Sequence, residues 1–270
     1  RGAAGAPLGC RPTRRRKPTV LKSLTRVLIA VLLLLAASWC VLFLWITQPL
    51  TGTAEVVASS THADPARLRA TVDSLASRPL RDASHPEILG EVAADLARAL
   101  ESFGLRVSIQ SYLGHDEHYT NVLTSIGPSD GPALVVGAHY DVYGDSGPNP
   151  GADDNASGVA GLVELGRLLA ASPPAQRVEL VAYSTEEPPF FASPQMGSAV
   201  HANGLVAAGH QPDLMVSLEM IGYYSERQSW SSALLALFYP SRGDFVAVVG
   251  RHDDRSAVAW LKRCMAATGE

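Results

Sequence analysis

Leu134-Val135-Val136-Gly137-Ala138-His139-Tyr140-Asp141 is the stretch that decides the fold. It opens as an unbroken apolar run and ends, without a transition, in a histidine and an aspartate. Such a run predicts a strand buried on both faces, which is the habit of a parallel sheet. Open sheets of this kind deliver functional groups at the carboxyl ends of their strands. A second run, Val178-Glu179-Leu180-Val181-Ala182, repeats the pattern and leads into Ser184-Thr185-Glu186-Glu187-Pro188. Between them lies Gly151-Ala152-Asp153-Asp154-Asn155-Ala156-Ser157-Gly158. A histidine, paired aspartates and a Glu-Glu pair at strand ends point to a hydrolytic metal site.

Outward from this centre the chain alternates strands and helices. Apolar spacing predicts helices over residues 64–75, 158–171, 196–206 and from Ser256 onward. Another is expected after Ser84, with Ser84 and Glu87 at capping-box spacing, Leu89, Ala93, Leu96 and Leu100 as its stripe and Gly104 as its stop. Residues 105–112 and 121–126 alternate like antiparallel or edge strands. Residues 134–138, 178–184, 214–221 and 244–249 read as further strands. This order predicts an α/β fold, a three-layer sandwich with a central mixed, mostly parallel sheet flanked by helices.

The 270 residues carry a net charge of −4, which conceals a split. Residues 1–54 hold eight Lys or Arg and no acid, leaving 14 basic and 26 acidic residues in the remainder. An acidic globular part argues against nucleic acid as a partner. Residues 27–47 form a charge-free run of 21, flanked by bases on its N-terminal side. At ~1.5 Å per residue a helix of that length spans the ~30 Å hydrocarbon core of a bilayer. Trp45 stands near its C-terminal end, where an interfacial aromatic belongs. A cleaved signal peptide is the rival, but its apolar core is typically only ~7–15 residues. The positive-inside rule puts the N-terminus in the cytoplasm and the bulk of the chain outside it. The expected organisation is a basic cytoplasmic tail (1–26), a transmembrane helix (27–47), a linker (48–63) and a globular domain (64–270) that is incomplete at its C-terminus. Cys10, Cys40 and Cys264 are scattered and form neither a disulfide framework nor a zinc knuckle. Arg1 in place of Met, and an amphipathic stretch still running at Glu270, read as fragment boundaries.

The site residues follow from their chemistry. His139 and Asp141 either share one side of a continuing strand, or Asp141 curls back to fix the imidazole tautomer that a metal ligand needs. Asp153-Asp154-Asn155 precedes a helix and supplies more carboxylate than a cap requires. One carboxylate can bridge two cations. Glu186 and Glu187 repel one another unless a cation or proton intervenes; one can ligate while the other serves as general base. Glu219, in Ser217-Leu218-Glu219-Met220-Ile221, is expected inside an apolar strand, where a carboxylate needs a partner or a metal.

These segments together resemble the co-catalytic zinc metallopeptidases, the family of aminopeptidase S, bacterial leucyl aminopeptidase and glutamate carboxypeptidase II, with glutaminyl cyclase as a more distant relative. The resemblance covers about residues 64–270. Its strongest part is Asp-Asp-Asn-Ala-Ser-Gly followed, 32 residues after Asp154, by Glu186-Glu187. It implies two Zn²⁺ ions, with His139 and Glu219 on the first, Asp154 bridging, Glu187 on the second, Glu186 as general base and Asp141 supporting His139. It also implies a cis peptide between Asp154 and Asn155, and a C-terminal histidine ligand in a Ser-Asp-His-like context. No such segment occurs here, and His201, His210 and His252 stand in other contexts. The implied activity is that of a membrane-anchored, zinc-dependent exopeptidase acting on peptides, most simply an aminopeptidase, with Pro189-Phe190-Phe191-Ala192, Tyr223 and Tyr224 as apolar substrate contacts. The alternatives are a glutaminyl-cyclase-like acyltransferase and a catalytically dead receptor-like ectodomain. Against the first stand the carboxylate pairs, and against the second the complete upstream ligand set.

Overall fold

The computed structural model describes residues 19–49, 61–144 and 147–267. Most of the basic tail and of the linker expected from the sequence lies outside the described residues. The chain divides into two compact units. The first holds helix α1 (Thr19–Thr47), whose section Lys22–Thr47 is long and apolar enough to cross a membrane or to act as a signal sequence. Residues 229–241 belong to the same unit, and there Phe238 stacks on Trp39 at 4.5 Å.

The second unit carries the sheet. Helices α2 (Pro65–Ala76) and α3 (Pro86–Glu101) precede strands β1 (Val107–Gly114) and β2 (Glu117–Ile126). Then follow β3 (Leu134–His139), α4 (Ala156–Ala171), β4 (Val178–Tyr183), α5 (Gly197–Ala207), β5 (Leu214–Ser217) and α6 (Arg255–Ala267). The strand order is β1-β2-β4-β3-β5. Strands β4 and β5 run parallel to β3, and β2 opposes both β1 and β4. The sheet is therefore mixed, with β2 alone reversed among its five strands. His115 and Asp116, with φ of 48° and 70°, close the β1–β2 hairpin. Two such residues make the primed turn that matches strand twist.

Every residue of β4 is buried, so its alternation sorts the two helix layers. Val178, Leu180 and Ala182 join Leu89, Val92, Leu96, Val159 and Leu162 in the main core, formed with α3 and α4. Glu179 and Tyr183 face the other way, where His201 of α5 meets both of them. The helices that follow β3 and β4 thus leave to opposite faces. A crevice opens at the carboxyl ends between such strands, and it is there that α/β sheets place their sites.

Several expectations need correction. The Ser84–Glu87 capping box does not form; α3 starts at Pro86, and Asp82 instead accepts from the Ser84 N–H (2.8 Å) and the His85 ring (3.0 Å). Residues 244–249 are not a strand. Among the described residues their neighbourhood offers one isolated bridge, Ser225 to Gly243, and the run is largely exposed, with Val249 at 89%, so it has neither a ladder partner nor a core face to hold it as a strand. Strand β5 stops at Ser217, four residues short of Ile221, so Glu219 lies beyond the strand and is half-exposed rather than embedded in it. The reason is local. The N–H groups of Met220, Ile221 and Gly222 are taken by side chains of the Asp153–Ser157 segment, so none is free to extend a ladder. Phe190, expected at a substrate surface, is 1% exposed and packs edge-on against Tyr119 in the core.

Candidate metal centre

The centre is built from four loops at the carboxyl end of the sheet. His139 is the last residue of β3 and 3% exposed. Its Nδ1 lies 3.2 Å from the Asp141 main-chain oxygen and 3.3 Å from Asp141 Oδ1. Both neighbours are acceptors, so Nδ1 carries the proton and Nε2 faces the crevice. Of the two arrangements open to Asp141, the structure adopts the one that curls back. This is the orienting contact that metal-binding imidazoles generally need.

Asp141 does more than hold the ring. It is wholly buried, and its two oxygens accept from the N–H groups of Glu186 and Glu187, each at 3.0 Å. One carboxylate therefore ties the end of β3 to the Glu-Glu turn after β4. The chain reaches that turn through Thr185, at φ +57°, a left-handed conformation rare for a β-branched residue. Tyr112 Oη at 2.8 Å and the Gln195 carbonyl at 3.1 Å hold the Thr185 hydroxyl in place.

The third loop is the Asp-Asp-Asn segment. The Asp154–Asn155 peptide is cis, as the family resemblance implies. Asn155 caps α4 by accepting from the Gly158 N–H. Its amide donates to the Leu218 carbonyl and to Glu219 Oε2, both at 2.8 Å, and its carbonyl also accepts from the Met220 N–H. Ser157 and Asp153 accept from the N–H groups of Ile221 and Gly222. The motif is thus a clamp on the fourth loop, and it aims Glu219. From the sequence, Asp153, Asn155 and Ser157 belonged to a segment suited to capping a helix but richer in carboxylate than a cap requires. Their placement inside one motif was the available signal; their partners, more than sixty residues away, were not.

The four loops converge on one atom. His139 Nε2 lies 3.2 Å from Asp154, 3.4 Å from Glu219 and 3.9 Å from Glu186. Glu187 joins the group, since ligand atoms of His139, Glu186 and Glu187 lie within 4.8 Å of one another. All six residues singled out from the sequence therefore meet here, Asp141 behind the imidazole and the others before it. His201 does not; it sits on the opposite face, paired with Glu179 at 2.9 Å and Tyr183 at 3.0 Å.

The electrostatics match a cation site. Burial, and then the nearby charge of Asp154, push the Glu187 carboxyl up to about 7. Burial likewise raises Glu186, with Asp141, Glu219 and Asp154 adding to it. Burial works against a charge on His139, but hydrogen bonds to Asp141, Asp154 and Glu219 outweigh it and lift the imidazole to about 12. Clustered carboxylates that raise one another are relieved by a cation or a proton among them. A cation at Nε2 would displace its proton, and the imidazole nitrogen with hard carboxylate oxygens then forms a donor set that suits zinc.

Comparison with known proteins agrees with this geometry. Residues 121–251 match the model of Peptidase family M28. The Escherichia coli (strain K12) protein named Uncharacterized protein YfbL is 44% identical over 215 residues, covering 76% of this chain and 65% of that protein. The chain thus spans just under two thirds of that relative's length. A Zn-dependent exopeptidase from Parabacteroides distasonis ATCC 8503 shares the fold at 22% identity and a TM-score of 0.51, over 63% of this chain and 67% of its own. A Bacteroides thetaiotaomicron glutaminyl cyclase does so at 22% identity and a TM-score of 0.51, over 63% of this chain and 68% of its own. At such identities the two solved structures speak for the shared fold.

 

Proposed function

We propose that this protein is a zinc-dependent exopeptidase, of aminopeptidase type, held to a membrane by residues 27–47. The observation that carries the reading is the convergence on His139 Nε2 of three carboxylates, Asp154, Glu219 and Glu186, from three separate loops. The family match and the motif resemblance support the same reading. His139, Asp154, Glu187 and Glu219 would hold the metal, with Asp154 placed to bridge two ions. Bound there, zinc would supply Lewis acidity, polarising a peptide carbonyl and making water acidic enough to lose a proton near neutral pH. Glu186 would take up that proton and pass it to the leaving amine, as general base and then general acid. Asp141 would hold the imidazole and the Glu-Glu backbone through the cycle. Phe191, Tyr223 and Tyr224 are exposed and would offer apolar contacts to the substrate.

The expected topology is a cytoplasmic N-terminus, one span, and the zinc-peptidase domain of residues 64–270 outside the cytoplasm. The test is zinc stoichiometry of the purified protein together with hydrolysis of peptides that have free or acetylated N-termini. Two zinc ions and cleavage of the free peptides only are expected. Cleavage of both kinds equally would remove the aminopeptidase assignment. Cyclisation of an N-terminal glutamine without peptide cleavage would establish the cyclase alternative instead.

A further inference from the structure

Arg81 is among the largest fully buried side chains of the molecule, at 0% exposure. It lies between α2 and α3, far in sequence from every motif of the centre. Among the described residues it has no carboxylate at ion-pair distance. All its bonds go to main-chain oxygens. Nε donates to Tyr140 at 3.0 Å. Nη1 donates to Leu75 at 3.0 Å and to Pro150 at 2.7 Å. Nη2 donates to Gly151 at 2.8 Å. Its own carbonyl accepts from the Val142 N–H at 3.1 Å.

These acceptors are not scattered. Tyr140 stands between His139 and Asp141, and Pro150-Gly151 leads directly into Asp153-Asp154. The planar fork therefore spans the two loops that carry His139 and Asp154. The chain at Gly151 is fitted to it: a Cβ there would lie 2.6 Å from Nη2 and 2.3 Å from Val142, at a φ of +50°. A buried guanidinium without a paired anion is costly unless something else requires it. Here the charges that favour the guanidinium are those of Asp141 and Asp154, both residues of the centre.

We propose that Arg81 is a positioning residue of the metal centre, whose guanidinium sets the separation of the His139 and Asp154 loops before any cation binds. This rests on the metal-site reading above. Lysine keeps the charge but is a point donor without the fork, so it cannot bridge the same carbonyls. The experiment uses the full-length protein, stripped of metal and titrated with zinc alone against a competing chelator. Folding is followed in parallel by circular dichroism and thermal melting. Wild-type protein that takes up no zinc would sink the metal-site reading itself. With wild-type binding in hand, folded Arg81→Lys is expected to bind zinc about 10- to 100-fold more weakly, the usual effect of losing a partner that orients ligands. Leu89→Ala, a core substitution away from the centre, should lower the melting temperature and leave zinc affinity unchanged. Arg81→Lys binding zinc within twofold of wild type would overturn the proposal. If Arg81→Lys does not fold, the wild-type Arg81 Nε–H decides. It should exchange slowly with solvent in the zinc-free protein already; protection that appears only with zinc would refute preorganisation.

Discussion

At the scale of single residues, Glu186 and Glu187 are neighbours with opposite assignments. Glu186→Gln keeps shape and hydrogen bonding but removes the proposed base. Zinc content should stay near wild type while turnover falls by about 10²–10⁴-fold. Glu187→Gln removes a charged ligand and should lose zinc and activity together. Parallel measurement of bound zinc and peptide hydrolysis checks both, and the reverse pattern would exchange the roles. Asp141 carries a different load. Its two oxygens serve the N–H groups of Glu186 and Glu187, and Oδ1 also faces His139. Asp141→Asn turns one acceptor into a donor and leaves a buried N–H opposed, at a cost of about 1–3 kcal/mol. A lower melting temperature in the zinc-free protein is expected, together with weaker zinc binding.

At the scale of elements, the Asp153–Ser157 segment does two jobs at one place. Asn155 caps α4 and clamps the turn that holds Glu219. Asn155→Ala should therefore cost a cap, typically about 0.5–2 kcal/mol, and also free Glu219 from its aim. Melting and zinc titration separate the two effects; a variant that loses stability but keeps wild-type zinc affinity would show the clamp to be unimportant for the ligand. The α3–α4 layer was legible from the sequence because its apolar spacing repeats over whole helices. Leu89, Leu96 and Leu100 lie in the main core as their stripe predicts. The start of α3 and the end of β5 were not legible. Both depend on which distant group takes a backbone N–H, and spacing along the chain carries no record of that.

At the scale of the whole molecule, two measurements bear on organisation. Residues 27–47 should resist carbonate extraction from membranes, and protease added outside the cell should reach the chain after residue 50. Release of a soluble protein would support a cleaved signal instead. The second measurement concerns acid. Hydrogen bonding to Arg167, then to the Asp64 N–H, holds the buried Glu164 carboxyl below its ordinary range. A folded pKa below the unfolded one means that ionised Glu164 stabilises the fold at neutral pH. That contribution is lost as pH falls from about 4.3 through the lower folded value. Glu164→Gln should flatten the pH dependence of the melting temperature in that window and leave zinc binding as it was.

The sequence by itself determined the class of fold and the membrane-length apolar helix, and it singled out six residues that meet at one place. Each of these depends on local facts: the period of apolar side chains, the length of an uncharged run, and the presence of carboxylates just after buried strands. Only the tertiary structure decided how those residues are held. It showed Asp141 curled behind His139, the Asp-Asp-Asn segment clamped on the Glu219 turn, and a buried arginine spanning two loops. Hydrogen bonds of this kind join groups 45 to 70 residues apart. Their partners are chosen by where the packed sheet brings the loops, and no periodicity along the chain encodes that choice.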